Sequence, residues 1–181
     1  MTREELEHAI RVACEVGREN AVIVIGSQAI LGQFPDAPPA LRQSVEVDVV
    51  PVHDPDAADR IDGVLGELSL FHQTHGFYVH GVTIEAATLP DGWESRLIDV
   101  RPVSSFPALG RCLQGYDLAA SKLTAFRDKD RDFVRVLMAE RLLDGDEIIV
   151  RLRGLPIDDA RVERLVQWVR RTMQELGRPL A

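Results

Sequence analysis

Residues 21–52 read AVIVIGSQAILGQFPDAPPALRQSVEVDVVPV, and this stretch predicts the centre of an α/β fold. Its first five residues are apolar and mostly β-branched, which is typical of a buried strand, and they end at Gly26-Ser27. A short helical pattern follows at residues 28–32, and residues 44–52 read as a second strand. The sequence thus predicts a small-residue turn between a strand and a helix.

The second predicted strand carries two acids, Glu46 and Asp48, in a run that is otherwise mostly valine. Because alternate strand residues point the same way, both carboxylates project from one face and the valines at 45, 47 and 49 from the other. Like charges held this close repel each other unless a cation lies between them. A divalent metal is the simplest neutraliser, so the two acids are candidate metal ligands.

The Gly26-Ser27 turn is a candidate phosphate site. Backbone N–H groups and a hydroxyl at the start of a helix can meet an anion, because the N–H groups there have no partner within the helix. Together, the turn and the acidic strand form a layout suited to a metal-bound nucleotide.

Composition limits the class of protein. A chain of 181 residues, 45% of them hydrophobic, suits one domain spanning residues 1–181. The sequence has no apolar run near the roughly 20 residues needed to cross a bilayer, and no signal-peptide core at its N-terminus. We therefore expect a cytoplasmic protein without a membrane partner.

Charge and cysteine content exclude other classes. Cys14 and Cys112 lie in no metal-binding or disulfide pattern. The net charge of −8 argues against nonspecific adsorption to nucleic acid. The C-terminal part nevertheless carries a set of arginines: Arg151, Arg153, Arg161, Arg164, Arg170, Arg171 and Arg178. This basic flank is either a solvated helix face or a local surface for a polyanion.

The segments around the central stretch are mostly supporting. Thr2 and Glu5 form a capping box that starts a helix ending near Gly17. Residues 34–41 hold three prolines and form a loop, which is either a lid or a stiff connector. A helix is predicted from Asp54, as its N-cap, to about residue 70.

Residues 71–89 contain three histidines, His72, His75 and His80, which suggest a zinc site although no further zinc-binding pattern supports it. Residues 77–89 read as extended structure interrupted at Gly81. On such a strand Thr83 and Glu85 would share a face.

Further strands are predicted at residues 96–103 and 109–113. Trp93 and Arg96 beside the first of them are either a clamp for a base and a phosphate or a structural plug.

A helix is predicted to begin at Asp117 as its cap, with Lys122 on or near its apolar side. A lysine there either neutralises a triphosphate or extends past its own stem to solvent. Asp130 follows in a charged corner with Arg127 and Lys129. C-terminal helices are predicted at residues 147–152 and 158–176.

The Gly26-Ser27 turn followed by Ser44, Glu46 and Asp48 resembles the signature of the DNA polymerase β-type nucleotidyltransferase superfamily. The segment DLAASKLTAFRDKD at residues 117–130 is similar to a motif of small nucleotidyltransferase toxins of the AbiEii and MenT type. This resemblance covers about residues 20–140, the expected catalytic core, with C-terminal helices at about 146–177.

The resemblance implies a mixed sheet flanked by helices and transfer of a nucleoside monophosphate from an NTP to a hydroxyl. Glu46 and Asp48 would then bind Mg²⁺ or Mn²⁺, with Glu85 as a third acid. Gly26, Ser27 and Lys122 would bind the nucleotide, and Lys122 and Asp130 would share the catalytic work.

By the same resemblance the acceptor would be RNA, such as a tRNA 3′ end, and the protein the toxin partner of an antitoxin. A protein hydroxyl is a second possible acceptor. Two other interpretations are a noncatalytic module that binds a nucleotide, RNA or protein, and an ordinary α/β domain in which the two motifs coincide.

Overall fold

Five strands form one mixed sheet in the computed structural model, which describes residues 1–103 and 107–177. The chain divides into two compact units. The first unit holds Met1–Ala86 and Arg96–Gln114, and the second holds Ala87–Ser95 and the described residues from Gly115 onward. The mixed α/β fold with helices against the sheet confirms the predicted fold class.

The strands all belong to the first unit. They are β1 (Ala21–Val24), β2 (Glu46–Pro51), β3 (Tyr78–Gly81), β4 (Ile98–Val100) and β5 (Leu109–Cys112). Their order in the sheet is β3-β2-β1-β5-β4. β1 runs antiparallel to β2 and parallel to β5, β2 runs parallel to β3, and β4 runs antiparallel to β5. The acidic strand β2 therefore lies between β1 and β3.

Four α-helices accompany the described sheet in the first unit. They are α1 (Arg3–Gly17), α2 (Ile30–Gln33), α3 (Ala57–Leu65) and α4 (Leu70–His75). The predicted capping box of α1 is confirmed, since Glu5 N donates to Thr2 Oγ1 at 3.2 Å and Thr2 N to Glu5 Oε2 at 2.6 Å. The apolar face of α1, including Cys14, is buried. Both cysteines are free thiols.

The described part of the second unit contains four α-helices: α5 (Gly115–Ala125), α6 (Asp128–Ala139), α7 (Gly145–Arg153) and α8 (Asp159–Glu175). Asp158 caps α8 as predicted, through a hydrogen bond from Arg161 N. Asp117 is not the cap of α5, because that helix already begins at Gly115. Instead, the buried Asp117 carboxylate lies 3.3 Å from Arg151 Nε.

Several predicted boundaries are wrong. The helix predicted from Asp54 is two helices, because α3 ends at Leu65 before an extended Gly66 and α4 begins only at Leu70. The strand predicted over residues 77–89 ends at Gly81, and a 3-10 helix, Ile84–Ala86, follows. Arg178 lies outside the described residues, as does part of the predicted end of the last helix. No helix in the described ranges has the length and apolar character needed to cross a membrane.

Gly81 is required where β3 passes α3. A Cβ on Gly81 would lie 2.0 Å from the carbonyl oxygen of Ala58 and 2.8 Å from its Cα. Because both neighbours are backbone atoms of α3, no side-chain rotation relieves the overlap. The strand and the helix pack backbone to backbone at this point.

We expect Gly81→Ala to lower the free energy of unfolding by about 1–3 kcal/mol, because the helix must move away from the strand. Urea denaturation followed by circular dichroism measures this change. The matched control is Gly63→Ala, where a Cβ meets nothing within 4 Å. That helical substitution should stabilise by about 0.4–1 kcal/mol. Equal effects of the two substitutions would contradict the close packing at Gly81.

Candidate active site

Glu46 and Asp48 project from the same face of β2, as predicted. Their side chains are 35% and 27% exposed, whereas Val47 and Val49 are fully buried on the opposite face. Alternation along the strand thus separates a solvent-reaching acidic face from an apolar face that packs into the core.

His80 completes a group with the two acids. The parallel pairing of β2 with β3 places His80 opposite Asp48. His80 Nδ1 lies 3.2 Å from Glu46 Oε1 and 3.2 Å from Asp48 Oδ1. One potential ligand atom from each residue lies within 4.8 Å of the others. Two carboxylates and an imidazole are a donor set that fits a divalent metal.

The sequence grouped His80 with the wrong partners. His72 stacks against Tyr78 with ring centroids 4.9 Å apart, and His75 contacts His8 with centroids 4.7 Å apart. In the described part of the chain, the group that can hold a metal is Glu46, Asp48 and His80. The considered zinc site of three histidines is therefore not formed. Alternation along β3 could have suggested an outward His80, but the register with β2 is set by tertiary packing.

The Gly26 turn lies directly against Asp48. Ile25 N donates to the Asp48 carbonyl oxygen at 3.1 Å, and a Cβ on Gly26 would lie 2.0 Å from Asp48 Oδ2. Glycine is needed here for space and not for its backbone angles, since its φ of −78° suits any residue. The turn and the acidic strand converge, as the sequence predicted.

Ser27 begins a 3-10 helix, Ser27–Ala29, whose N-cap is Gly26. No side chain caps this helix. The 3-10 turn continues directly into α2, so the helical segment begins one residue earlier than predicted. Phosphate binding by Gly26 and Ser27 stays a prediction.

Tyr78 supports Glu46 from the neighbouring strand. Burial, the charges of Glu46 and Glu67, and a hydrogen bond from the Tyr78 hydroxyl to Glu46 raise the pKa of the phenol to about 12. Tyr78 therefore stays neutral at physiological pH and donates its proton to the Glu46 carboxylate. This bond fixes one side of the acidic group.

A second support precedes β2 in the chain. Glu46 N donates to Ser44 Oγ at 3.2 Å, and the Nε2 of the fully buried Gln28 donates to the Ser44 carbonyl oxygen at 3.1 Å. The entrance of the acidic strand is thus tied to the turn that contains Gly26. The sequence analysis did not use Tyr78 or Gln28, because their contacts depend on the register of the sheet.

Lys122 and Asp130 lie together in the second unit. Lys122 Nζ is 3.5 Å from Asp130 Oδ1 and 4.8 Å from the centre of the Phe133 ring. Its side chain is only 13% exposed, so burial lowers the pKa of Lys122 although Asp130 acts in the opposite direction. The predicted position of Lys122 near the apolar side of its helix agrees with this burial.

Asp130 is fully buried and is shared by two cations. Arg127 Nε lies 2.6 Å from Asp130 Oδ2, on the side away from Lys122. Burial alone would raise the pKa of Asp130, but hydrogen bonding to Arg127 and the charges of Arg127 and Lys122 outweigh it, so the pKa is lowered. The carboxylate therefore stays ionised and holds both cations. The catalytic roles of Lys122 and Asp130 stay predictions.

Glu85 is not on a strand, contrary to the prediction. It lies in the 3-10 helix that follows β3 and is exposed. A hydrogen bond from Thr83 lowers its pKa. The chain leaves the sheet after Gly81, so Glu85 loses the strand register that was to bring it beside Glu46 and Asp48. Its role as a third metal ligand stays a prediction, and the group that does form contains His80 instead.

Trp93 and Arg96 lie at the two ends of a short 3-10 helix, Trp93–Arg96. Their role as a clamp for a nucleotide stays a prediction.

The second unit also carries what we call the arginine–aromatic groove. Its lining residues come from the α5–α6 junction, from α6 and from α8, and are Phe126, Arg131, Ala160, Glu163, Arg164, Gln167, Trp168 and Arg171. The rings of Phe126 and Trp168 meet edge to face at 6.2 Å, and the Arg131 guanidinium lies 4.8 Å from the Phe126 ring centre. Phe126 is 37% exposed and has a left-handed backbone with a φ of 54°.

The groove is basic although the whole chain is acidic. It contains three arginines and one glutamate. Among the described residues, Arg164 and Arg171 have no ion-pair partner, whereas Glu163 lies 3.7 Å from Arg170. Two guanidinium groups are thus available to an anionic partner.

The approach of Gly26 to Asp48 predicts an energetic coupling between them. Gly26→Ala alone should lower the free energy of unfolding by about 1–3 kcal/mol, because the new methyl group meets the Asp48 carboxylate. In an Asp48→Ala background the same substitution should cost less, since the carboxylate oxygen is gone. Urea denaturation of the four proteins in this double-mutant cycle gives the coupling energy, expected to exceed about 0.5 kcal/mol. A coupling near zero would contradict the packing of the turn against Asp48.

The comparisons with known proteins agree with this geometry. Residues 4–148 match the model of a family described as nucleotidyltransferase of unknown function (DUF6036). Neither the comparison with curated proteins nor the comparison with solved structures returned a match. The matched residues include the acidic strand, the Gly26 turn, Lys122 and Asp130. Because the match extends over most of the chain, the protein belongs to this nucleotidyltransferase family.

Proposed function

We propose that the protein is a metal-dependent nucleotidyltransferase that moves a nucleoside monophosphate from an NTP to an acceptor hydroxyl. The observation that carries this proposal is the convergence of Glu46, Asp48 and His80 beside the Gly26 turn. Membership of a nucleotidyltransferase family supports it. The acids alone would be a weak argument, but acids beside a turn without a Cβ leave room for a charged ligand.

The donor set fits a divalent ion. Glu46 and Asp48 supply the carboxylate oxygens that Mg²⁺ and Mn²⁺ accept, and their side chains reach solvent. When bound, such an ion supplies charge neutralisation for the triphosphate and the leaving pyrophosphate. The hydrogen bond from Tyr78 orients Glu46 for this task.

The remaining proposed site residues act on the nucleotide. The backbone N–H groups at Gly26 and Ser27 and the Ser27 hydroxyl bind phosphate oxygens, as donors at the start of a helical segment do. Lys122 contributes a positive charge to the triphosphate, which favours the charge that develops in phosphoryl transfer. Asp130 positions that lysine by holding its ammonium group.

The proposed acceptor is RNA, with the 3′ end of a tRNA as the first candidate. The arginine–aromatic groove supports a nucleic-acid acceptor, because arginines bind phosphates and exposed aromatic rings stack on bases. A role as the toxin of a toxin–antitoxin pair, with an antitoxin protein as partner, rests on the resemblance to the AbiEii and MenT type.

A noncatalytic nucleotide- or RNA-binding module is the second candidate function. His80 lies at the same distance from both acids, so a protonated imidazole can neutralise them without a metal. In that case the group is a structural ion pair, and nucleotide binding does not depend on added metal.

The test is transfer of label from each α-³²P-NTP to total tRNA in the presence of Mg²⁺ or Mn²⁺. The full chain should label RNA with one nucleotide, and Asp48→Asn should reduce the rate at least about 100-fold, because one ligand of the reacting complex is lost. The matched control is Asp59→Asn, an exposed acid on α3, which should retain full activity. Metal-independent NTP binding with no labelled product of any kind would favour the noncatalytic module.

The acceptor proposal predicts salt-dependent RNA binding through the groove. Arg164→Gln with Arg171→Gln should weaken tRNA binding and lower the slope of log affinity against log salt by about 0.7 for each lost phosphate contact. Fluorescence anisotropy at several salt concentrations measures both quantities. Arg153→Gln, an exposed arginine at the end of α7, is the control. An unchanged slope in the double variant would remove the groove from the acceptor site.

A further inference from the structure

We propose that His80 is a nitrogen ligand of the bound metal ion and that it makes the site prefer Mn²⁺ to Mg²⁺. This inference rests on the proposed function only in so far as an ion binds at Glu46 and Asp48. It adds a residue that the resemblance did not assign, in place of the third acid expected at Glu85.

The distances around His80 suit an ion shared by the three side chains. His80 Nδ1 lies 3.2 Å from an oxygen of Glu46 and 3.2 Å from an oxygen of Asp48. Neighbouring ligands of an octahedral ion with bonds of about 2.1 Å are about 3.0 Å apart. The observed separations are close to that value, so only small side-chain movements bring all three atoms to one ion.

The backbone holds His80 in this place. β3 pairs with β2 along Glu46–Tyr78 and Asp48–His80, and Val82 N donates to Val49 O at 2.9 Å just past the pair. Glu46 is also oriented by Tyr78. Such outer hydrogen bonds are a usual property of metal sites, because they fix the direction of the ligands.

The chemistry of the donors sets the metal preference. Mg²⁺ is a hard ion that takes oxygen ligands and keeps much of its water, so an imidazole adds little to its binding. Affinity for mixed nitrogen and oxygen donors rises along the divalent transition metals, and imidazole is a favoured ligand of that series. Mn²⁺ has the size and octahedral geometry of a phosphate-binding ion and also accepts a nitrogen. A site with two carboxylates and one imidazole should therefore favour Mn²⁺.

A metal-binding measurement without nucleotide tests this inference. The protein is titrated with MnCl₂, free Mn²⁺ is read by electron paramagnetic resonance, and Mg²⁺ is added as competitor. We expect Mn²⁺ to bind at least about tenfold more tightly than Mg²⁺. Pulsed electron paramagnetic resonance of the Mn²⁺-loaded protein should contain the nitrogen coupling of a directly bound imidazole.

Substitutions then assign the nitrogen. His80→Gln should remove the nitrogen coupling and weaken Mn²⁺ binding about tenfold, with less than about a twofold effect on Mg²⁺. His80→Asp should restore binding through an oxygen and shift the preference towards Mg²⁺. The matched control is His75→Gln, because His75 is exposed and packs on His8 and Phe71 away from the acids.

The outcomes separate this inference from the proposed function. Mn²⁺ bound through Glu46 and Asp48 without a nitrogen coupling would overturn the role of His80 and leave the nucleotidyltransferase proposal intact. Failure to bind either ion, in the presence or absence of NTP, would overturn both. The spectrum of the unsubstituted protein is decisive by itself, so the test does not depend on the folding of a variant.

Discussion

The strict alternation of β2 is the constraint on which the proposed site depends. Val47 and Val49 are fully buried on one face, and this burial fixes Glu46 and Asp48 on the other. A slip of one residue would place the carboxylates in the core and the valines in solvent, at a cost of several kcal/mol. Hydrophobic packing on one face therefore determines where the charges of the other face lie. The site is a consequence of how the sheet is buried.

The two proposed catalytic groups handle charge in different ways. Glu46 and Asp48 are partly exposed and share a neutral or singly charged partner, His80, so they can exchange that contact for a metal ion. Asp130 is fully buried and lies between Lys122 and Arg127. A buried carboxylate needs paired cations, because a lone charge in the interior is strongly unfavourable. Asp130 is therefore suited to positioning a lysine rather than to binding a metal.

The sequence predicted the features that depend on neighbouring residues. The capping box at Thr2, the buried run of β1 and the acidic face of β2 all follow from local patterns, and the structure contains them. The roles of His80 and Glu85 could not be read in the same way. Both depend on where β3 ends and how it pairs with β2, and no local pattern near Gly81 indicates that end.

The end of β3 is set by packing on the far side of the sheet. Gly81 lies against the backbone of Ala58 in α3, and its pairing partner across the sheet is the buried Val49. Because adjacent strand residues face opposite sides, fixing Gly81 towards α3 fixes His80 towards Asp48. The same backbone contact thus closes the core and directs the imidazole to the acids. A residue with no side chain, on the face away from the site, determines which third group the two carboxylates have beside them.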